Sequence, residues 1–309
     1  MTESAEVSIV VPVFNEEEVL PEFLPRLKKV AEGLGRSYEL VFVDDGSTDR
    51  SLEVLKNFKS EAPTIRLISF TRNFGQQAAV LAGFRYCRGK VVVQIDADLQ
   101  NPPEEIPKLL KALCGDIELV TTVPRKRRDN PARVLGSSFL HGFAQLLFGR
   151  DFKLNLSSFR AMHRSLIEKI ETCKDRSRYM AVLMSWMGVP AVEVEVDHHN
   201  RKVGKTKYSV FTLIKLTWDL ITGYSTAPLR MVTYLGLFGA LMGFFLMMFL
   251  FYQRIVNGIL IEGFIVLSAV FAFFSGVQLL TIGFLGEYLG RVHLQIQNRP
   301  DYIISKVLE

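Results

Sequence analysis

Asp96 and Asp98 stand two positions apart directly behind the apolar run Val91-Val92-Val93-Gln94-Ile95. Side chains at alternate positions of an extended strand share a face, so a strand ending here carries two carboxylates out on one side of its tip. Paired carboxylates suit a hard divalent cation that keeps other coordination positions for phosphate oxygens. Open α/β sheets take their ligands at the carboxyl ends of their strands. Taken alone, the same residues also read as an acidic turn capping a helix that begins near Pro102-Pro103-Glu104. Two neighbouring segments shift the balance. Asp44 and Asp45, followed by Gly46-Ser47, end another apolar run, and an acid at such a tip is placed to accept hydrogen bonds from a ribose or base. Pro12 to Glu16 ends a third run and would wall the same cleft. Three polar strand tips describe one cleft for a nucleotide with a metal on its diphosphate.

The elements that must position these tips alternate. Strands are expected at Val7 to Val13, Glu39 to Val43, Ile65 to Phe70, Lys90 to Ile95 and Glu118 to Val123. Between them, Leu20, Phe23, Leu24, Leu27, Ala31 and Leu34 recur at helical spacing, with Asn15 as the expected cap and Glu16, Glu17 and Glu18 in the first turn. Further helices are expected over Leu52 to Phe58, capped by Thr48 or Asp49, over Gly75 to Tyr86, and over Glu105 to Leu113. Apolar strands alternating with helices predict an α/β fold whose mostly parallel sheet is covered on both faces. No G-x-G-x-x-G follows the first strand and no G-x-x-x-x-G-K-[ST] occurs, which argues against a dinucleotide oxidoreductase and a P-loop NTPase. No internal repeat interrupts the pattern.

Hydropathy divides the 309 residues. Residues 1–208 read as a domain with charges throughout. Residues 209–229, apolar with few charges, read as an amphipathic helix lying in the membrane interface. Met231 to Tyr252 and Phe264 to Leu285 carry no charge, and each is long enough for a helix to cross a hydrocarbon core of about 30 Å. Lys205, Lys207, Lys215 and Arg230 precede the first run, Arg291, Arg299 and Lys306 follow the second, and the connector holds only Arg254. The positive-inside rule then puts the domain and both termini in the cytoplasm, with 230–309 as a two-helix membrane region and a cytoplasmic tail. Met1 to Phe14 lacks a basic start and a long apolar core, so no signal peptide is expected. Cys87, Cys114 and Cys173 form no metal-binding spacing and read as reduced thiols. The net charge of +5 is modest and clustered near the membrane, and no nucleic-acid partner is expected.

Several segments together resemble the family 2 glycosyltransferases of GT-A fold: Val11-Pro12-Val13-Phe14-Asn15-Glu16, Val43-Asp44-Asp45-Gly46-Ser47, Arg72-Asn73-Phe74-Gly75-Gln76 and Asp96 through Glu104. Gly204-Lys205-Thr206-Lys207-Tyr208, Thr226 to Arg230 and Gly283 to Tyr288 extend the likeness to membrane-bound polyisoprenyl-phosphate glycosyltransferases. That group includes bactoprenol glucosyltransferases, undecaprenyl-phosphate 4-deoxy-4-formamido-L-arabinose transferases and dolichol-phosphate mannose synthases. The resemblance implies that Pro12, Asn15, Glu16, Asp44 and Asp45 hold the uracil and ribose of a UDP-sugar. It implies that Asp96, Asp98 and Gln100 bind Mg²⁺ or Mn²⁺, and that Arg201, Lys205 and Lys207 contact phosphate, Arg201 within the catalytic group. Arg125, Arg128 and Arg133 are candidates for the phosphate of undecaprenyl phosphate. Simple attraction to anionic lipid, roughly 1 kcal/mol per residue, explains the same basic cluster. Related enzymes suggest a homo-oligomer.

One departure concerns Ser157-Ser158-Phe159-Arg160. Several relatives carry an aspartate, assigned as catalytic base, where this chain has Ser158. A phosphomonoester acceptor, with a second pKa near 6, is already mostly a dianion and needs positioning more than proton abstraction. Ser158 is therefore expected to hydrogen-bond acceptor or sugar, with no general base. The expected reaction is metal-dependent, inverting transfer of a sugar to the lipid phosphate at the cytoplasmic membrane face. A processive polysaccharide synthase is a rival, but its Q-x-x-R-W motif and additional spans are missing. A catalytically silent nucleotide-sugar-binding scaffold is another, opposed by the intact acidic set.

Overall fold

An uninterrupted apolar strand is stable only where both of its faces are covered. β1 (Val7–Val13) is buried at every position. In this computed structural model it lies between β2 (Tyr38–Asp44) and β4 (Val91–Gln94), parallel to both. The structure describes residues 5–60, 64–125, 157–173, 180–199, 222–223, 226–258, 263–297 and 299–309. β3 (Ile65–Phe70) continues the parallel set beyond β2. β6 (Arg160–His163) inserts antiparallel between β4 and β5 (Leu119–Pro124), and β7 (Ala191–Val196) pairs parallel with β5. β8 (Ile304–Leu308) closes the far edge antiparallel to β3, giving the order β7-β5-β6-β4-β1-β2-β3-β8.

Pro12 sits within a central strand at no loss of pairing. Val10 O accepts from Ile95 N, while Val13 O accepts from Asp45 N. Position 12 therefore faces the β4 side, past the last β1–β4 partner pair, Val10 and Gln94, where no ladder bond needs an N–H.

Side-chain alternation gives the sheet two cores. Ile9, Val11, Phe42 and Val93 meet α1 (Leu20–Glu32), α2 (Ser51–Ser60) and α4 (Ile106–Ala112) on one face. Val10, Val41, Val43 and Val92 meet α3 (Gln76–Tyr86), α5 (Arg164–Thr172) and α6 (Met180–Trp186) on the other. α1 begins at Leu20 without a side-chain cap, so Asn15 does not cap it as its sequence position suggests. Cys87 is buried and unbridged, and burial pushes its thiol up to about 11.

The chain divides into two compact units, residues 1–207 with 299–309, and residues 208–298. The tail read from sequence as part of the membrane region is thus a strand of the sheet, because the open edge of β3 supplies unpaired backbone groups that β8 satisfies. The second unit holds α7 (Ala227–Val256) and α8 (Gly263–Ile296). α7 is long and apolar enough to cross a membrane, and among the described residues it is the one helix that passes a test of length and composition. Ala227–Leu229, placed by sequence in an interfacial helix, form the first turn of α7. Residues 209–221, 224 and 225 of that segment lie outside the described residues.

Gly239 and Gly243 of α7 face Phe274 of α8, and a Cβ at Gly243 would stand 3.1 Å from the ring. Gly243→Ile is expected to cost about 1–3 kcal/mol through overpacking, read as a lower unfolding midpoint in detergent, with Gly236→Ile, where a Cβ meets open space, as control.

Candidate active site

The carboxyl ends of β1, β2 and β4 open on one edge of the sheet, and the loops leaving them are laced together. Asp45 N donates to Val13 O at 2.9 Å, joining the tips of β2 and β1. Asn15 takes the left-handed conformation, φ 54°, which a short polar side chain tolerates. Its Oδ1 accepts from Thr48 N at 2.8 Å, and its own amide donates to Ser47 Oγ at 3.1 Å. Glu16 N donates to Ser51 Oγ at 2.8 Å. Asp49 accepts from Ser51 N at 2.9 Å at the start of α2.

Asp44 and Asp45 are almost wholly buried, 1% and 2% exposed. Asp44 accepts from Ser47 N at 3.2 Å and from Ser69 Oγ at 3.0 Å. Asp45 Oδ1 accepts from Phe74 N at 2.7 Å and Oδ2 from Gly75 N at 2.9 Å. Burial raises the Asp45 carboxyl above its usual range, against the pull of those two amides. Both acids, read from sequence as contacts to ribose and base, are here engaged by donors of the protein. They fix the shape of the cleft wall formed by residues 71–76.

Asp96 is half-buried and held from two sides. Ser158 Oγ donates to its Oδ2 at 2.5 Å, and Gln76 Nε2 to its Oδ1 at 2.8 Å. The first contact follows from register: Gln94 of β4 opposes Arg160 of β6, and continuing that antiparallel ladder outward sets Ser158 opposite Asp96. The Ser158 hydroxyl therefore meets Asp96 across the two strands. Arg160, 3% exposed, lies on the same strand. Burial lowers its guanidinium to about 10, with the charge of Asp96 opposing the shift. Its Nη1 is 3.3 Å from Met184 Sδ.

Asp98 Oδ1 accepts from Gln100 N at 3.1 Å, in a turn where Leu99 adopts φ 57°. Gln100 O accepts from His199 N at 2.9 Å, so the segment after β7 is fastened beside the acidic turn. Arg26 of α1 braces that turn with a two-pronged contact to Glu104, at 2.9 and 2.8 Å.

Burial raises the Asp96 carboxyl; Ser158 and Gln76 lower it and the charge of Asp98 raises it further. The two carboxylates therefore feel one another's charge. Among the described residues no three His, Cys, Asp or Glu side chains converge. A cation here would be held by Asp96 and Asp98 and complete its shell with water and substrate phosphate, the usual habit of Mg²⁺.

The raised carboxyl has a testable sign. A carboxylate whose folded value exceeds its unfolded one weakens the fold while ionised, and the penalty fades as pH falls towards the ordinary value of 3.8. Asp96→Asn is thus expected to raise the melting temperature of metal-stripped protein at pH 8, with the gain shrinking towards pH 4. A gain that grew on acidification would contradict the assignment.

Of the other sequence candidates, Arg125 directly follows β5 and pairs with Asp197 at 3.2 Å. Arg128, Arg133, Arg201, Lys205 and Lys207 lie outside the described residues. The residues that sequence reasoning missed are Gln76, Arg160 and His199. Gln76 closes the Arg72-Asn73-Phe74-Gly75-Gln76 segment and Arg160 follows Ser158-Phe159, so these two stood inside motifs already noted, whereas His199 stood in none.

The sheet and its acidic edge are those of a GT-A-like α/β protein. Residues 8–171 match the model of glycosyl transferase family 2, and the chain belongs to that family and is a glycosyltransferase. Over 305 residues it is 40% identical to the undecaprenyl-phosphate 4-deoxy-4-formamido-L-arabinose transferase of Pseudomonas paraeruginosa, covering 98% of this chain and 90% of that one. The enzyme of the same name from Edwardsiella ictaluri is 37% identical over 306 residues, 98% and 94% of the two chains. The resemblance to the polyisoprenyl-phosphate branch holds. Among solved structures, mannosyl-3-phosphoglycerate synthase from Rubrobacter xylanophilus superposes with a TM-score of 0.54 at 15% identity, covering 74% of each chain. Glucosyl-3-phosphoglycerate synthase from Mycobacterium tuberculosis, solved with Mn²⁺ and UDP-glucose, gives 0.50 at 19% identity over 71% of this chain and 77% of that one. These two matches concern the fold.

Proposed function

We propose that this chain transfers a sugar from a UDP-sugar to undecaprenyl phosphate at the cytoplasmic face of the membrane, with inversion at the anomeric carbon. The observation that carries the reading is the pair Asp96 and Asp98 at the carboxyl edge of the sheet, beside the laced loops of β1 and β2. The relatives' names support the acceptor and the sugar-transfer class.

Asp96 and Asp98, with Gln100 as a further ligand, would hold Mg²⁺ or Mn²⁺, which would supply positive charge against the leaving diphosphate. Ser158 and Gln76 lock the Asp96 carboxylate from opposite sides, and Arg160 adds a buried positive charge near it. The residues at and beyond the carboxyl ends of β1 and β2, Pro12, Asn15, Glu16, Asp44 and Asp45, shape the uridine wall. The lipid phosphate, already a dianion near neutral pH, attacks in line and needs no base. A serine whose proton is committed to Asp96 suits that base-free route. Arg125, Arg128, Arg133, Arg201, Lys205 and Lys207 serve the phosphates of donor and lipid.

The tail strand bears on topology. If α7 crosses the bilayer, the chain must cross again before β8 can rejoin the sheet that holds β1. α8, with its uncharged stretch from Phe264 to Leu285, is the returning span, and the flanking Lys and Arg residues put the sheet in the cytoplasm.

Membranes holding the chain, given undecaprenyl phosphate and a panel of labelled UDP-sugars that includes UDP-4-deoxy-4-formamido-L-arabinose, should yield a labelled lipid that chelation abolishes. Absence of labelled lipid with every donor would leave a nucleotide-sugar-binding scaffold, and its persistence in Asp98→Ala would remove Asp98 from the cation site.

A further inference from the structure

β8 reaches past the edge it closes. It pairs with β3 from Leu67 and Leu308 to Phe70 and Ile304, with an irregularity between Ser69 and Phe70. Just beyond, Thr71 N donates to Ile303 O at 3.0 Å. Tyr302 stacks on Phe70, ring centroids 4.9 Å apart and planes 9° from parallel. Phe70 in turn meets Phe74 edge-on at 5.8 Å and 90°. Phe74 N is one of the two amides closed on Asp45, and Arg72 covers its ring at 4.2 Å. Gln76, two residues on, holds Asp96.

The segment 71–76 therefore ties the acid of β2 to the acid of β4, and the tail packs against its root. The other end of β8 is anchored separately. Glu309 lies 3.1 Å from Arg88 and 3.5 Å from Arg66, a buried arginine that also faces Glu39 at 3.5 Å. Residues 297–303 alone separate this strand from α8.

We propose that Tyr302 is a positioning residue for the donor site. Its stack on Phe70 holds Phe74 and Gly75 against Asp45 and Gln76 against Asp96, so the strand that follows the helical hairpin sets affinity for the nucleotide diphosphate. The proposal rests on the reading of this cleft as the donor pocket. An aromatic pair of this geometry is worth up to about a tenfold change in an equilibrium.

The test uses the full chain in lipid nanodiscs and compares Tyr302→Ala with Tyr302→Phe. Amide exchange at Phe74 and Gly75 is expected to quicken about tenfold in Tyr302→Ala and to stay at the wild-type rate in Tyr302→Phe. The Kd for UDP with Mn²⁺ and the KM for the donor should rise by a similar factor, with kcat within about twofold. Unchanged exchange at those two amides, or a loss of protection spread equally over β1, overturns the proposal. Should Tyr302→Ala fail to fold, Tyr302→Leu keeps an apolar contact without the stack and gives the same reading. If exchange responds as stated but wild-type protein binds no UDP, the coupling stands and the donor assignment falls.

Discussion

Asp98→Ala is expected to lower glycosyl transfer by about a thousandfold or more while leaving the fold intact. Asp98 is half-buried, and its one described contact is an amide within its own turn. Removing the carboxylate strands no buried partner, so the melting temperature of metal-stripped protein should move by no more than about 2 °C. Affinity for Mn²⁺, followed by the paramagnetic signal of the free ion, should fall with the rate. Asp96 differs, since Ser158 and Gln76 both donate to its carboxylate, so replacing it disturbs more than a cation. Asp98 thus reports on cation chemistry with the least structural interference. Activity within tenfold of wild type at saturating metal would sink the metal assignment.

Gly46→Ala is the second variant with a large expected effect, and it acts through shape. Gly46 has φ 66°, and a Cβ there would lie 2.4 Å from the Arg72 carbonyl carbon, 2.7 Å from its Cα and 2.8 Å from its O. All three are backbone atoms, so no side-chain rotation relieves the overlap. The left-handed conformation costs an alanine about 1–2 kcal/mol. Pushing residues 71–76 away also strips the buried Asp45 of Phe74 N and Gly75 N, worth about 1–3 kcal/mol where a charge is involved. Together these predict about 3 kcal/mol or more of lost stability, roughly a 10 °C drop in melting temperature for a domain of this size. UDP binding should be lost in whatever fraction folds. Titration of unfolding with urea checks the first expectation, and equilibrium dialysis of labelled UDP the second. Wild-type values in both would mean that residues 71–76 do not form the wall described.

The parts of the site written in local pattern were readable from the chain. The runs ending at Val13, Val43 and Ile95 declare buried strands, and polar residues placed directly behind such runs must emerge at the sheet's edge. What escaped was long-range pairing. Arg160–His163 is too short to show a period, and nothing in Ser157-Ser158-Phe159-Arg160 announces that it inserts antiparallel beside β4 and delivers Ser158 to Asp96. Ala191–Val196 did carry a signal, the alternation Val192-Glu193-Val194-Glu195-Val196 of an edge strand. Its neighbour β5 lies far back in the chain. The burial of Asp44 and Asp45 was equally out of reach, because composition at a strand tip does not say whether an acid faces a ligand or the protein's own amides.

The position of β8 orders events during synthesis. Of the eight strands described, it leaves the ribosome last, after α7 and α8, while the other seven can assemble as they emerge. Until β8 arrives, nascent chains present β3 as a bare margin, prone to sticking to other chains.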